Sequence, residues 1–363
     1  MKKFSTLVTA TALAVGLLTV QVTDVRAEQE RGTMLEAVSA LANQEFAAAY
    51  NQFRKFLDLG SPDAAYNLGL LAIEGAGTEY DPVKSAGFFL RLQNYGGHPG
   101  AASIAEQIEP HLNAEELAEV SAQVAQLQAA VIVPFDAEQW PRRDFQLPAP
   151  TRRNAPDYPA QAARQGIQSW LDLLQITAPN GRVITSVPVN TVHPGIFRSF
   201  KRTEGSWRFE RGEQVLVRAV RLTFSLDDEA QFIQDMKNEY IRVLPLATAG
   251  IAQNQFFLAN LAALAQDNNY DAPELRSVDV QMWLERAARG GHVQAQRYLA
   301  MRYGRKEWAD HLIARDDLIT QTYYGMQMYT YGGTAEVRAE GERLVRDASS
   351  RGEAHAREII RHL

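Results

Sequence analysis

The residue types that most often carry out catalysis or bind metals form no recognisable catalytic motif in this sequence. The chain has no cysteine, which excludes a thiol nucleophile, a disulfide and a lipid-modified cysteine. Its 7 histidines are dispersed, and no two of them have metal-ligand spacing with a third candidate nearby. Nucleophile-elbow, phosphate-loop and dinucleotide-binding motifs are missing as well. We therefore predict that the protein is not an enzyme and binds neither a metal nor a cofactor; an envelope hydrolase would need an active site assembled only by folding.

Two of the histidines and one acidic pair have structural interpretations. His98 and His292 each follow two glycines, which is typical of turn residues. Asp316-Asp317 precedes a predicted helix, where a carboxylate caps the exposed amides of the first turn. These side chains are therefore assigned to the fold and not to chemistry.

The pattern that does indicate a function is a period-two alternation from Val215 to Leu226. One face is apolar apart from Arg218, and the other face carries smaller and polar residues. The apolar face comprises Leu216, Val220, Leu222, Phe224 and Leu226, and the other comprises Val217, Ala219, Arg221, Thr223 and Ser225. Such alternation predicts a half-buried strand. At the edge of a sheet, a strand of this kind can pair with an extended peptide from a partner.

The segments before this strand predict a β-hairpin. Residues 170–177 and 183–189 read as strands, and Asn180-Gly181 between them is a strong hairpin-turn signal. Pro188 removes a backbone donor, which places the second strand at an outer or interrupted position of the sheet.

Helices complete the predicted domain. Helical spacing is found over residues 159–165 and 194–201, and Trp207-Arg208-Phe209 is expected to begin the last, longer strand. The order is helix, two strands, helix and a longer strand. It predicts a small α/β sandwich with an antiparallel sheet.

Residues 155–226 resemble the carboxy-terminal domain of TonB energy transducers, and we delimit a domain of this kind as residues 156–226. The resemblance rests on Ala155-Pro156-Asp157-Tyr158-Pro159, Ala162-Ala163-Arg164-Gln165-Gly166, Asn180-Gly181-Arg182-Val183, Phe197 with Trp207-Arg208-Phe209, and Leu222-Thr223-Phe224-Ser225-Leu226. Because that family pairs its sheet with an extended peptide of another envelope protein, the resemblance implies partner binding. We assign the accepting edge to Val215, Val217, Ala219, Arg221 and Thr223, with charge steering by Arg198, Lys201 and Arg202.

The segment departs from the TonB family pattern at several points. Ser169 stands where the family usually has a second glycine, and Gln175 and Thr177 stand where apolar residues are usual. The family's long Pro, Lys and Glu spacer is missing, and the chain continues beyond Leu226. These differences favour a binding fold without energy transduction.

Helical segments flank this domain over residues 28–133 and 227–363. Both segments resemble Sel1-like repeats, which are antiparallel helix pairs of the tetratricopeptide type. The resemblance rests on residues 64–71, 75–77, 81–86 and 96–101 in the first segment, and on 279–296 with a weaker match at 344–356 in the second. In the first segment, Gly60 and Gly97 begin similar pentapeptides 37 residues apart, which is a spacing of helical-pair repeats.

Tyrosines and methionines cluster in the last third of the chain. They are Tyr323, Tyr324, Met326, Met328, Tyr329 and Tyr331. Their helical spacing indicates a helix core, and an adaptable binding surface is the alternative interpretation.

Residues 134–155 are rich in proline, which excludes a helix and favours extended structure. The segment is either a linker or a strap that lies against a domain. Trp140 and Phe145 favour the strap, since isolated linkers seldom carry two large aromatic residues.

The amino terminus has the pattern of a secretory signal peptide over residues 1–27. Lys2-Lys3 precedes an apolar stretch that is too short for a comfortable bilayer span of roughly 20 residues, and cleavage is predicted after Ala27. We expect a periplasmic protein with no stable membrane span; an uncleaved signal anchor is the competing interpretation.

Charge is distributed unevenly along the chain. From Arg152 to Leu226 there are 11 Lys or Arg and 5 Asp or Glu, a net charge of +6, so the remainder carries −12 of the total of −6. A basic middle domain would steer an acidic partner or cell-wall polymer toward itself; a solvated surface balanced by its own flanks is the alternative.

Together these patterns predict an α+β fold, mostly α, in which Sel1-like helical pairs flank a small TonB-like α/β domain with an antiparallel sheet. We expect a periplasmic, non-enzymatic scaffold that binds envelope proteins, with outer-membrane and cell-wall-associated proteins as candidates and no nucleic acid. The alternative is a TonB-like transducer for outer-membrane transport that is retained by an uncleaved amino-terminal anchor.

Overall fold

The computed structural model describes residues 32–91, 98, 101–135, 137–190, 193–226 and 229–363. This part of the chain is mostly helical and contains a small antiparallel sheet, which confirms the predicted fold class at that level. Within these residues, no helix has both the length and the apolar character needed to cross a membrane. The predicted signal segment and Gly97 lie outside the described residues.

The chain divides into two compact units. The first comprises the described residues up to Val131 together with Ala249–Ala252, and the second comprises Ile132–Thr248 and Gln253–Leu363.

The first unit consists of helices with short connections. They are α1 (Met34–Ala42), α2 (Phe46–Arg54), α3 (Pro62–Glu74), α4 (Pro82–Arg91), α5 (Ala101–Ile108) and α6 (Ala114–Ala129), with a 3₁₀ turn at Glu109–His111. Thr33 and Glu36 form a capping box at the start of α1, and Ser61 caps α3 just before Pro62. The core between α3 and α6 is made largely of alanines around Phe89, which lets these helices approach closely.

The second unit begins with the proline-rich segment, which lies as a strap against helices further along the chain. Its start is held by Arg289, which is 1% exposed, donates to the Val133 carbonyl and stacks at 3.4 Å on the ring of Phe135. Further along the strap, the backbone N–H of Arg143 donates to the carbonyl of Tyr331 at 2.8 Å. These contacts agree with the strap interpretation and not with a free linker.

The strap leads into the sheet domain. Its elements are β1 (Pro150–Arg152), α7 (Ala160–Arg164), β2 (Ser169–Thr177), β3 (Val183–Pro188), α8 (Pro194–Glu204), β4 (Arg208–Phe209) and β5 (Leu216–Phe224). The main sheet has the order β3-β2-β5 with antiparallel pairing throughout, and β1 pairs with β4 in a separate ribbon.

The hairpin between β2 and β3 confirms the turn predicted at Asn180-Gly181. Gly181 has a φ of +79°, and a Cβ there would lie 2.0 Å from the carbonyl oxygen of Phe209, so only glycine fits this turn. Pro188 lies on β3, an outer strand, as predicted.

One face of the sheet packs on α8. The core there contains Leu171, Leu173, Ile196, Phe200, Trp207, Phe209 and Phe224. Leu171 and Leu173 alternate along β2, and Ile196 and Phe200 are one helical turn apart on α8, so the two periodicities of the sequence meet in one apolar layer.

The chain after the sheet domain is helical. Its elements are α9 (Glu229–Thr248), α10 (Ala252–Asp267), α11 (Pro273–Arg276), α12 (Val280–Arg289), α13 (Val293–Arg297), a π-helical turn (Tyr298–Arg302), α14 (Lys306–Ile313), α15 (Leu318–Tyr331), α16 (Ala335–Ser350) and α17 (Ala354–Ile359). Among them, α10 and α15 contact β5, and α17 contacts β3. Helix α15 is buried along most of its length, and Tyr323, Tyr324, Met326 and Met328 form a core as predicted, whereas Tyr329 and Tyr331 are half-buried. Asp317 caps α15 through the Thr320 amide, which confirms part of the predicted capping pair.

Helices α15 and α16 cross closely at two glycines. A Cβ at Gly325 would lie 2.8 Å from the Gly341 carbonyl oxygen, and a Cβ at Gly341 would lie 2.5 Å from the Gly325 carbonyl oxygen. The crossing therefore depends on the absence of a side chain at both positions.

The single longer strand expected from Trp207 onward is wrong. β4 ends at Phe209 and β5 begins only at Leu216. The strap supplies the pairing partner of β4, since Pro150 pairs with Phe209 and the Glu210 amide donates to the Ala149 carbonyl at 2.9 Å. The two segments therefore belong to different sheets.

Candidate functional site

Strand β5 forms one edge of the three-stranded sheet. It pairs with β2 in a continuous register from Ser169–Phe224 to Thr177–Leu216. The backbone N–H and C=O of Val217 are bonded to side chains on the side away from β2, so by alternation the same groups of Ala219, Arg221 and Thr223 also point outward. An added strand would use these outward groups.

The amino-terminal end of this edge is closed by α15. The Val217 amide donates to the Thr330 hydroxyl at 3.1 Å, and the Tyr331 hydroxyl donates to the Val217 carbonyl at 2.9 Å. Val215 and Val217 are buried. These two of the predicted binding residues therefore lie where a partner strand cannot reach.

The rest of the edge is open. Ala219, Thr223 and Ser225 are exposed, and no hydrogen bond within the described part of the chain involves the outward backbone groups of Ala219 or Thr223. Edge strands with unsatisfied backbone groups are ready to pair with another chain.

A groove of about 520 Å³ runs beside this open segment. The strap forms one wall, β5 forms the other, and Trp207 contributes to the lining. The lining residues are Arg153, Asn154, Ala155, Pro156, Tyr158, Trp207, Leu222, Thr223, Phe224 and Ser225. The groove thus combines a strand edge with apolar and aromatic side chains.

The strap wall is anchored to the domain core. The Trp207 indole N–H donates to the Asn154 carbonyl at 2.8 Å, and the Ser199 hydroxyl of α8 donates to the Asp157 carbonyl at 2.5 Å. The Tyr158 ring packs edge-on against Phe224 with centroids 5.8 Å apart. Because Trp207 and Phe224 belong to the core, the groove is built on a rigid base.

Two arginines are associated with this wall. The Arg153 guanidinium lies 4.8 Å from the Trp207 ring centroid. Arg218 is 6% exposed, lies 3.7 Å from the Phe209 ring centroid and donates to the Pro148 carbonyl at 3.0 Å. Burial and, secondarily, the charge of Arg153 lower the pKa of Arg218 to about 10, so it remains a cation at neutral pH.

Arg221 has a different role from the one predicted. Its side chain binds Asp172 on β2 with two nitrogens, Nη2–Oδ2 being 2.9 Å, and contacts Asp267 on α10 at 2.5 Å. Burial opposes the charge of Arg221, but the hydrogen bond to Asp172 and the charges of both carboxylates raise its pKa above the usual value. The side chain is thus committed within the protein, and only its backbone faces the edge.

The three basic residues predicted to steer a partner lie on α8. Arg198, Lys201 and Arg202 are exposed, and Lys201 pairs with Glu204 one helical turn away. None of the three lines the groove. They can contribute to a long-range field but not to contacts inside it.

The histidines stabilise helices and interfaces. His193 and His292 are N-caps that accept from the amides of Gly195 and Ala295, both at 3.2 Å. His98 stacks on Tyr66 with centroids 3.6 Å apart, and His355 Nδ1 lies 2.7 Å from the Thr185 hydroxyl of β3. Among the described residues, no group of three or more His, Asp or Glu side chains is arranged to hold a metal ion.

The sequence did not identify the strap side of the site. Arg153 and Asn154 gave no local signal, because their importance depends on Trp207, which lies 53 residues from Asn154. Tyr158 belongs to the TonB-like pattern, but that pattern does not indicate a groove at this residue. The Thr330 and Tyr331 contacts to the edge had no signal in the sequence.

Comparison with protein-family models, curated proteins and solved structures finds no match to this chain.

Proposed function

We propose that this protein is a non-enzymatic, protein-binding scaffold that accepts an extended peptide along the open edge of β5. The observation that carries the proposal is the juxtaposition of outward backbone groups at Ala219 and Thr223 with an adjacent groove of about 520 Å³. Main-chain hydrogen bonds would supply affinity, and the groove would select alternate side chains of the peptide.

The blocked and open parts of β5 define the length of the binding edge. Thr330 and Tyr331 occupy the outward backbone groups of Val217, so an added strand cannot pair with this residue. The peptide therefore pairs with residues 219–225. Seven residues suffice for a strand of ordinary length. The TonB-like resemblance supports the same mode of binding, and the Sel1-like resemblance of the helices supports further protein contacts in a scaffold.

Proline substitution on β5 tests this proposal, because the outward amides can be removed without touching the ladder to β2. Random peptides of about eight residues, displayed on phage, are selected on the full chain, and their affinities are measured by fluorescence polarisation. We expect Ala219→Pro and Thr223→Pro to weaken binding about tenfold or more, since each removes a donor and its bulk obstructs pairing.

Thr223→Val is the matched control, since it alters the same side chain and keeps the amide. It should retain the selected peptides, and circular dichroism of all three variants should match that of the unmodified protein. Selected peptides that bind the proline variants as tightly as the unmodified protein would show that the edge is not the binding site.

We also propose that the scaffold works in the periplasm after removal of residues 1–27. The support is the signal-like pattern of the sequence. Mass spectrometry of the protein purified from cells should find an amino terminus at Glu28; an intact Met1 would instead favour an anchored protein.

A further inference from the structure

The groove beside β5 has a charge that its own residues do not neutralise. Arg153 is the charged residue among those that line it. Its guanidinium rests on the Trp207 ring at 4.8 Å, and no carboxylate within the described part of the chain forms a salt bridge with it. A cation in this position is held in place by an aromatic face and remains available to an anion.

Arg218 adds a second positive charge beneath the strap. Its hydrogen-bond acceptors are neutral, namely the Pro148 carbonyl at 3.0 Å and the Thr177 hydroxyl at 3.4 Å. Burial and, secondarily, repulsion from Arg153 lower its pKa to about 10, so Arg218 remains a cation at neutral pH. Because Arg218 is buried, its field is screened less than that of a surface charge.

Two of the other basic residues that the sequence assigned to partner binding are already paired. Arg221 binds Asp172 and Asp267, and Lys201 binds Glu204. Of the basic residues between Arg152 and Leu226, Arg153 is the one that lines the groove, and Arg218 is bonded to the strap at Pro148.

We infer that the groove selects extended peptides that carry an acidic side chain facing Arg153. This inference rests on the proposed function. Side chains of an added strand alternate between the two faces of the sheet, so every second residue points toward the strap wall. The aromatic rings of Tyr158 and Phe224 lie in the same groove and favour an apolar side chain two positions from the acidic one.

Charge exchange on both sides of the contact tests the inference. Each peptide selected on the full chain is synthesised with its acidic residue intact and with Glu→Gln or Asp→Asn, and both forms are titrated by fluorescence polarisation. We expect the acidic form to bind about tenfold more tightly, with a preference that falls as salt is raised. Arg153→Gln should remove the preference, Arg153→Lys should keep most of it, and Arg182→Gln, which removes an equal charge at the β2–β3 turn, should leave it unchanged.

The outcomes separate the two proposals. Peptides that lose affinity in Ala219→Pro but bind equally well in acidic and amide forms would overturn the acidic preference while leaving the edge assignment intact. Peptides insensitive to both proline variants would overturn both. A preference that persists in Arg153→Gln would also overturn the assignment to Arg153.

Discussion

Arg221 of β5 and Asp172 of β2 form a two-nitrogen ion pair on the face of the sheet that contacts the carboxy-terminal helices. Both side chains are largely buried, being 17% and 7% exposed, and Asp267 of α10 adds a second carboxylate from the solvent side. Arg221 therefore links the edge strand β5 to the central strand β2 through Asp172, and to helix α10 through Asp267.

Removing one member of this pair should destabilise the protein strongly. In Asp172→Asn the guanidinium stays in its buried position and keeps only the exposed Asp267 as a carboxylate partner. We expect the free energy of unfolding to fall by about 3 kcal/mol, measured by urea denaturation followed by circular dichroism. Asp267→Asn is the control and should cost less than about 1 kcal/mol, because that carboxylate is exposed; similar losses in both variants would contradict the assigned roles.

The stability of the protein should fall in mild acid because of His292. Burial lowers the pKa of His292 from 6.5 to about 4, and Phe256 lies 4.7 Å from the ring. The folded state therefore holds the ring neutral between these pH values while the unfolded chain takes up a proton, so stability is present above pH 6.5 and is lost as the pH falls toward 4. We expect the free energy of unfolding to fall by about 2 kcal/mol over this range. This is less than the full pKa shift would give, because His292 keeps some contact with solvent.

His292→Asn separates this contribution from the titration of carboxylates. Asparagine caps a helix well and does not titrate, so it should preserve the bond to the Ala295 amide. Thermal unfolding measured across the same pH range should show a shallower pH dependence in the variant. Parallel curves for the two proteins would exclude His292 as the source.

The close crossing of α15 and α16 should not tolerate a methyl group. In Gly341→Ala the new Cβ would lie 2.5 Å from a carbonyl oxygen of the neighbouring helix, and the helices would have to separate. We expect a loss of about 2 kcal/mol in a urea titration. Gly205→Ala is matched to it, since a Cβ at Gly205 has no neighbour within 4 Å and φ is −61°; it should be neutral or slightly stabilising.

The strap wall of the groove should loosen when Trp207 loses its indole nitrogen. Trp207→Phe removes the hydrogen bond to Asn154 and part of the surface on which Arg153 rests. We expect a loss of about 2 kcal/mol in stability and faster cleavage by trypsin after Arg152 and Arg153, followed by mass spectrometry. Trp283→Phe alters a buried tryptophan on α12 and should leave the cleavage rate at these two bonds unchanged.

Local sequence patterns predicted the elements of the sheet domain well. The alternation along Leu216–Phe224 and the Asn180-Gly181 turn depend only on neighbouring residues, and both are found as strand and hairpin. Arg218, which interrupts the apolar face, is buried through an aromatic stack and two neutral acceptors.

The composition of the candidate site was not predictable from the same patterns. The polar face of β5 assigns Arg221 to partner recognition. In the structure its guanidinium instead binds Asp172 and Asp267, which lie 49 and 46 residues away in sequence. The break between β4 and β5 likewise depends on pairing with the strap. Contacts of this range are set by topology, which periodicity alone does not encode.

The contacts of Thr330 and Tyr331 with Val217 span 113 and 114 residues of sequence. A chain is synthesised from its amino terminus, so β5 emerges long before the residues that close its inner end. During that interval the whole outer edge of the strand is open to other nascent chains, and edge pairing is a route to aggregation. Once Tyr331 has been synthesised and α15 has packed against β5, only the binding segment of the edge remains unpaired. A chain whose synthesis stops before this residue would expose a longer unpaired edge to chaperones and proteases.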